Sequence, residues 1–209
     1  MGAVRVVELM KAADATIAEA GAKALRSIAL PYSGKDEVFE AGGIDALMEV
    51  MALHKTHEGV CEAVSDALGR ITKFGITDKK GMLQALPLLL ECFSIHKTNI
   101  CICESVSGVL CNLVNVYEAL TRGVLDTGAV QVLVEILEIH KDHKAICSSA
   151  SSALYGIVIG SAERKASVVR AGAVPLLAAV YKTHSGSARV HARDALDSLG
   201  FKYDGSKKY

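Results

Sequence analysis

Apolar residues recur along this chain in a five-residue pattern: a small residue, Leu, two variable positions and an aliphatic residue. The pattern starts at residues 24, 67, 109, 153 and 195, so successive copies lie 43, 42, 44 and 42 residues apart. Self-similarity at a period of about 40–47 residues is typical of stacked helical repeats, in which each repeat buries its apolar face against a neighbour. The pattern therefore predicts an all-α array.

A second pattern, Gly followed by a small residue and an aliphatic residue, is in register with the first. It occurs at residues 42–44, 128–130 and 172–174. The sequence Gln84-Ala85-Leu86 fills the same place without the Gly. Pro87 and Pro175 follow the aliphatic residue directly, and proline is tolerated in the first turn of a helix. We expect the second helix of each repeat to begin here.

Ten residues after each aliphatic residue comes a His, at positions 54, 96, 140 and 184. His and the Lys that often follows it suit the C-terminal end of that second helix, where a cation interacts favourably with the helix dipole. A longer third helix then carries the five-residue pattern. Short helices are expected before each Gly turn or its equivalent, over residues 34–40, 77–83, 117–126 and 161–170.

These markers divide residues 1–201 into repeats with the approximate bounds 1–31 (partial), 34–73, 75–115, 116–159 and 161–201. Since no linker rich in Pro, Gly or Ser interrupts the chain, we predict a single domain. Residues 202–209 are expected to form a polar C-terminal tail.

One short and two longer helices around a Gly turn resemble the armadillo repeat. Residues 171–177, Ala-Gly-Ala-Val-Pro-Leu-Leu, are similar to the opening of that family's second helix. Residues 109–113, Val-Leu-Cys-Asn-Leu, resemble its Ala-Leu-x-Asn-Leu motif, with Val for Ala. The resemblance covers nearly the whole chain and implies a right-handed α-solenoid of about four and a half armadillo-like repeats.

The resemblance also implies that the third helices line a concave groove and that the motif Asn bonds to a peptide backbone there. An amide has both donor and acceptor groups, which suits a peptide unit. Here only Asn112 keeps the amide at this position. Nuclear-import receptors of the family place Trp one turn earlier, whereas this chain has no Trp. The ladder that recognises basic nuclear-import signals is therefore absent.

We predict a protein–protein interaction scaffold that binds an extended peptide or a partner helix along the concave third-helix face. Asn112 is the candidate for backbone hydrogen bonds, and Asp66 and Arg70 are candidates for setting the register. Small and polar residues would let the partner approach closely: Ser105, Gly108, Ser149, Ser152 and Gly156. The alternative reading of these small residues is that they only allow curved helices to pack.

An alternative function is a self-associating structural module. The first repeat lacks its short helix, so Val4, Val7 and Met10 are expected to be incompletely covered, and repeat arrays need polar caps. A homo-oligomer formed through this uncapped N-terminal end is one way to cover them. A start inside a repeat is equally consistent with a fragment of a longer array.

Net charge and hydropathy indicate which kinds of partner and which targeting segments are not expected. The chain has 23 basic and 23 acidic residues, so no net charge attracts it to nucleic acid. No apolar run approaches the roughly 18 residues of a membrane span, so no transmembrane segment is expected. Glu8 and Lys11 interrupt the start, which is unlike a signal peptide. We expect a cytoplasmic protein and leave the nucleus open.

Metal and catalytic chemistry find little support in the sequence. Zinc needs three or four ligands within about 2.0–2.3 Å of one point, whereas repeat-related His residues spread along an array. His96 lies near Cys101 and Cys103, but residues two apart point about 200° apart on a helix. Motifs of serine hydrolases, phosphate loops and zinc proteases are absent. We expect no metal, no cofactor, no catalytic residue and no enzymatic activity.

Three Cys occupy one repeat position, at residues 61, 103 and 147. Equivalent residues of stacked helices lie about 8–10 Å apart, beyond the roughly 7 Å that a disulfide tolerates between Cα atoms. These Cys are therefore expected to be small buried packing residues.

Overall fold

The computed structural model describes residues 2–11, 14–73, 79–116 and 118–201. The elements that it describes are all helices. The first seven are α1 (Ala3–Met10), α2 (Ala15–Ile28), α3 (Tyr32–Glu40), α4 (Gly43–Leu53), α5 (Glu58–Thr72), α6 (Lys79–Ile95) and α7 (Ile100–Val116). The others are α8 (Glu118–Asp126), α9 (Ala129–Ile139), α10 (Lys144–Val158), α11 (Ala162–Arg170), α12 (Ala173–Thr183) and α13 (Ser187–Ser198). None of the described helices is both long enough and apolar enough to cross a membrane.

The five-residue pattern lies on α2, α5, α7, α10 and α13, which we call the third helices. Polar residues begin three of them. His57 and His143 are the N-cap residues of α5 and α10, and their Nδ1 atoms accept hydrogen bonds from the amides of Val60 and Ile146. Asn99 performs the same role for α7, because its Oδ1 accepts from the amide of Ile102 at 2.9 Å.

Glycines make the turns that separate the short helix from the second helix. Gly42, Gly128 and Gly172 have φ angles of 72°, 81° and 84°. Side chains other than glycine rarely tolerate this left-handed conformation, so a Gly at this place ends one helix and allows the next to start in a new direction. The Gly pattern in the sequence thus marks the starts of α4, α9 and α12 correctly.

The third repeat departs from the expected pattern. Helix α6 runs from Lys79 to Ile95 and contains Pro87 in its interior, whereas we expected a short helix up to residue 83 and a new helix with Pro87 in its first turn. The physical reason is the missing Gly: Gln84-Ala85-Leu86 provides no residue suited to a left-handed turn, so the helix continues. Pro175 lies in the first turn of α12, as expected. Residues 77 and 78 of the expected short helix lie outside the described residues.

Contacts group the chain into two compact units, Met1–Val109 and Leu110–Tyr209. In the first unit α2 packs against α1 and α5, and α4 packs against α5 and α6. Its largest buried side chains include Met10, Leu25, Leu47, Leu68 and Phe93. The single domain over residues 1–201 and the repeat bounds stay predictions, and residue 75 and the tail at 202–209 lie outside the described residues.

In the second unit α13 packs against α10 and α12, and α9 packs against α10 and α12. Its core is made of Leu, Ile and Val side chains from these helices, such as Leu133, Leu154 and Leu196. In both units small residues of the five-residue pattern are buried beside the large ones, as Ala67 and Ala153 illustrate. This alternation lets neighbouring third helices approach closely.

The N-terminal helix is better covered than the sequence indicates. Val7 and Met10 are only 7% and 2% exposed, whereas Val4 is 60% exposed. The expectation that Val7 and Met10 lack cover is therefore wrong. Helix α1 packs against α2, α3 and α4, and the amide of Ala3 donates to Oε1 of Glu37 at 2.8 Å. A carboxylate of α3 thus serves an N-terminal amide of α1 that has no partner within its own helix.

Candidate functional site

All eight candidate contact residues lie on third helices and are half-buried. In the first unit these are Asp66 and Arg70 of α5 and Ser105 and Gly108 of α7. In the second unit they are Asn112 of α7 and Ser149, Ser152 and Gly156 of α10. Half-burial is what a groove-lining position requires, because the side chain is supported by its own helix yet reachable by a partner.

Polar side chains bridge neighbouring third helices in the first unit. Arg26 of α2 forms an ion pair through Nε with Oδ2 of Asp66 on α5. Asn99, at the start of α7, donates through Nδ2 to Oε1 of Glu58 on α5 at 2.7 Å. Asp66 is therefore already engaged by its own chain, which the sequence did not indicate.

Helix α5 carries a row of carboxylates that contribute a negative charge to the first unit's third helices. Glu58, Glu62 and Asp66 follow one another at four-residue intervals and so lie along one side of the helix. Burial and then the nearby carboxylate of Glu62 raise the pKa of the Cys101 thiol on α7. The row ends at Arg70, which follows Asp66 by one turn.

Arg70 is part of a basic group at the C-terminal end of α5. Burial, and then the positive charge of Arg70, lower the pKa of Lys35 on α3. Cations near a helix C-terminus interact favourably with the helix dipole. The side of α5 therefore changes from acidic to basic along its length.

The surface near Gly108 is open. A Cβ atom added to Gly108 would meet no atom within 4 Å. By contrast, a Cβ added to Gly69 of α5 would lie 3.8 Å from the carbonyl oxygen of Ser105. A side chain at Gly69 would therefore make ordinary contact with α7, whereas Gly108 leaves unfilled space above the helix.

In the second unit, Asn115 joins the two third helices α7 and α10. Its Nδ2 donates to Oγ of Ser152 at 3.1 Å. A Cβ added to Gly156 would lie 2.3 Å from Oδ1 of Asn115 and 3.0 Å from Cγ2 of Val114. Gly156 thus has a packing role between these helices, which is the alternative reading of the small residues.

A similar bridge joins α10 to α13. Oγ of Ser148 lies 3.0 Å from Oγ of Ser187, and Nδ1 of His191 lies 3.1 Å from the carbonyl oxygen of Ser148. Sequence reasoning missed the bridging roles of Asn115 and His191. The available signal was position, because Asn115 follows the motif Asn112 by one helical turn and His191 shares the repeat position of Ser149.

The His residues tie successive repeats together. Nε2 of His96 lies 2.9 Å from the carbonyl oxygen of Lys55, and Nε2 of His184 lies 2.6 Å from that of Lys141. A carbonyl oxygen only accepts, so each Nε2 carries the hydrogen. His54, His140 and His184 also stand at the C-cap positions of α4, α9 and α12. The expected capping position is therefore correct, and an inter-repeat bond is added to it.

The Cys residues at the shared repeat position are buried free thiols, as expected. Each Sγ donates to the carbonyl oxygen of the Lys six residues earlier, at 3.3 Å for Cys61, 3.2 Å for Cys103 and 3.4 Å for Cys147. Cys92 of α6 and His96, directly after that helix, lie beside Cys61, and the ligand atoms of these three residues are within 4.8 Å of one another. The sequence instead grouped His96 with Cys101 and Cys103.

Helices grouped in this way, with glycine turns and with His–carbonyl bonds that span about one repeat length, define an armadillo-like repeat fold. The same fold is found in solved structures. One engineered protein is 25% identical, with 94% of this chain and 80% of that chain covered and a TM-score of 0.80. Computationally designed armadillo repeat proteins for modular peptide recognition show 19% identity, 93% and 81% coverage and a TM-score of 0.82.

A designed armadillo repeat protein in complex with the peptide (KR)4 is also similar, at 19% identity, with 94% of this chain and 81% of that chain covered and a TM-score of 0.76. No protein-family profile and no curated protein sequence matches the chain. The structural likenesses confirm the predicted fold class, an all-α solenoid of armadillo-like repeats.

Proposed function

We propose that this protein is an interaction scaffold that binds an extended peptide along its third helices. The proposal is supported by its structural neighbours, which include one designed armadillo protein in complex with (KR)4 and others designed for modular peptide recognition. The observation that carries it is the open, half-buried surface at Gly108, where the helix backbone is exposed to a ligand without an intervening side chain.

Asn112 is the residue that we propose for backbone recognition in the second unit. It is half-buried on α7, and an amide offers two N–H donors and an oxygen acceptor, which match the groups of a peptide unit. Ser152 has a different role, because its hydroxyl already accepts from Asn115 and so helps to hold α7 and α10 together. We therefore assign direct contact to Asn112 and Ser149, and positioning to Ser152 and Gly156.

The charges of the first unit favour basic side chains in the ligand. Glu58 and Glu62 lie on the same side of α5 as Asp66, and Glu62 is near enough to Cys101 to raise the pKa of that thiol. The chain has no Trp, so a lysine or arginine would be held by carboxylates rather than between aromatic rings. Arg70, at the end of the row, would favour an acidic residue and thereby set the register.

The test uses fluorescently labelled (KR)4 as the probe, with a neutral (GS)4 peptide as its control, in anisotropy titrations at low salt. We expect (KR)4 to bind and (GS)4 not to bind. Asn112→Ala should weaken binding about 3- to 10-fold, the range that follows from the loss of about 0.5–1.5 kcal/mol per hydrogen bond. Gln131→Ala is the matched control, because it removes an exposed amide from α9, a second helix of the same unit.

The charge contribution is tested separately with Glu62→Gln, which keeps the shape of the side chain. Its affinity for (KR)4 should fall, and the salt dependence of binding should become weaker, because exposed charges are screened. Equal affinity of the wild type and the Asn112→Ala variant for (KR)4 and for peptides selected from a random library would reject the proposal. If the selected peptides bind as helices, the proposed ligand would be a partner helix and not an extended peptide.

Self-association is the alternative function, and it rests on exposed apolar residues of α1. Val4 is 60% and Leu9 is 50% exposed. Sedimentation velocity over a wide concentration range distinguishes this alternative, since association through α1 would disappear in the Val4→Ser, Leu9→Ser double variant, whereas peptide binding would be retained.

A further inference from the structure

Two buried sulfur atoms and one imidazole converge within the first unit. Cys61 of α5 and Cys92 of α6 are fully buried, and His96, which follows the last residue of α6, is half-buried. One ligand atom from each of the three lies within 4.8 Å of the other two. We infer that Cys61, Cys92 and His96 form a binding site for a thiophilic divalent metal ion, with zinc as its occupant.

The distances are close to those of a zinc site. Tetrahedral zinc with Zn–S near 2.3 Å and Zn–N near 2.0–2.1 Å places its ligand atoms about 3.5–3.8 Å apart. The cluster needs to contract by only about 1 Å to reach this spacing, which side-chain rotation provides. The amide of His96, just past the end of α6, donates to the carbonyl oxygen of Cys92, so the two residues are one helical turn apart. Sulfur and imidazole ligands together select zinc over magnesium or calcium.

The two thiols are near enough for Cys92 to donate a hydrogen bond to Cys61. A divalent metal ion binds both sulfurs as thiolates and releases the two thiol protons to solvent, so that two thiolates balance the two charges of the ion.

Ser65 provides an independent indication of what the cluster binds. Its side chain is fully buried, one turn after Cys61, and its hydroxyl has no hydrogen-bond partner within the described part of the chain. That hydroxyl is near enough to Cys92 to donate a hydrogen bond to a thiolate there. A buried donor of this kind gains its partner when Cys92 is deprotonated, which is the usual role of outer-shell groups at metal sites.

The imidazole of His96 is held by a hydrogen bond to the backbone. Its Nε2–H donates to the carbonyl oxygen of Lys55 at 2.9 Å. Such a bond from one ring nitrogen to a backbone carbonyl fixes the ring and its tautomer, and it leaves the other nitrogen with a lone pair. The same bond keeps the Lys55 carbonyl satisfied when Cys61, which also donates to it, loses its proton.

The second unit contains a natural comparison. Cys147, Val180 and His184 occupy the equivalent positions, and both Cys147 and His184 contact the carbonyl oxygen of Lys141. The contacts of Cys and His with the Lys carbonyl thus belong to the repeat itself. Cys92 is the added residue, where Val180 shows that an aliphatic side chain suffices for packing.

The test uses the full chain, stripped of metal with a chelator and kept reduced. Co²⁺ serves as a spectroscopic probe, because thiolate ligation produces an intense charge-transfer absorption, and Zn²⁺ is then added in competition. We expect one ion per chain, displacement of Co²⁺ by Zn²⁺, and a higher melting temperature with zinc. Cys92→Val should weaken binding by about 100-fold or more, beyond what the loss of an outer-shell group causes.

Two further variants make the result specific. Cys147→Val removes an equivalent buried thiol outside the cluster and should leave the Co²⁺ spectrum unchanged. Val180→Cys copies the cluster into the second unit and should raise the stoichiometry from one ion to two. Circular dichroism confirms that Cys92→Val is folded, as the valine at the equivalent position leads us to expect. No thiolate-to-cobalt absorption in the wild type, or an equal one in a folded Cys92→Val variant, would overturn the inference.

Discussion

The Nε2 atom of His184 lies 2.6 Å from the carbonyl oxygen of Lys141, a residue 43 positions earlier in the chain. A separation of one repeat length means that this bond joins the end of one second helix to the end of the preceding one. His96 makes the same bond to Lys55 in the first unit. A His at the end of a second helix thus stands at the C-cap of its own helix and also bonds to the preceding repeat.

His184→Ala tests the contribution of this bond to stability. The substitution leaves the Lys141 carbonyl without its imidazole donor, and the loss of one hydrogen bond typically costs about 0.5–1.5 kcal/mol. We expect a lower urea midpoint with an unchanged slope, measured by far-ultraviolet circular dichroism. Ser185→Ala, at the exposed neighbouring residue, is the control and should leave the midpoint unchanged. An equal loss in both variants would mean that the bond is unimportant.

Gly108 and Gly172 form a matched pair for testing the effect of backbone conformation, because both have space for a side chain. A Cβ atom meets no atom within 4 Å at either Gly108 or Gly172, but Gly172 has φ of 84° whereas Gly108 is within a helix. Gly172→Ala should lower the free energy of unfolding by about 1–2 kcal/mol, the cost of a left-handed residue with a side chain. Gly108→Ala should raise it by about 0.5–1 kcal/mol, because alanine is preferred in helices. Thermal unfolding curves provide the measurement, and the same sign for both changes would contradict this explanation.

Asp14 makes the stability of the N-terminal region dependent on pH. Its carboxylate caps α2, and hydrogen bonds from the amides of Ile17 and Thr16 lower its pKa below the usual value of 3.8. The folded state therefore prefers the charged form. Its stabilising effect is complete above the unfolded pKa and is lost as the pH falls through the lower, folded value.

The corresponding experiment compares the wild type with Asp14→Ala between pH 7 and pH 2. We expect the variant to melt at a lower temperature at pH 7, and the difference to narrow below pH 4 as the wild-type carboxylate gains its proton. Glu8→Ala, at an exposed residue of α1, is the control and should show no such convergence. A difference that stays constant down to the lowest pH would show that the charge of Asp14 is irrelevant.

Much of the helical layout follows from the sequence because it depends on local chemistry. His57 and His143 begin helices, since a side-chain acceptor there satisfies an amide of the first turn. The glycine turns follow equally directly from residue type. Gln84 stands where the other repeats have that glycine. Pro87 therefore led us to predict the wrong start for the second helix, because a proline is compatible with a first turn but does not determine where a helix begins.

The candidate binding positions show where local reasoning ends. The repeat register places Asn112 and Ser152 on third helices, and the structure agrees. The role of such residues depends on neighbouring side chains. Asn115 donates a hydrogen bond to the hydroxyl of Ser152, and Arg26 forms an ion pair with Asp66. The spacing of these residues does not indicate which of them already forms a hydrogen bond or an ion pair with a neighbouring helix.

The sequence by itself determined the repeat period, the helix caps and the glycine turns, because each depends on residues a few positions apart and on the backbone preferences of single amino acids. Only the tertiary structure brought Cys61 of α5 to Cys92 of α6 and to His96 at the end of that helix. The convergence of these three side chains depends on how two helices separated in sequence lie against each other, and that relationship arises from packing over many residues.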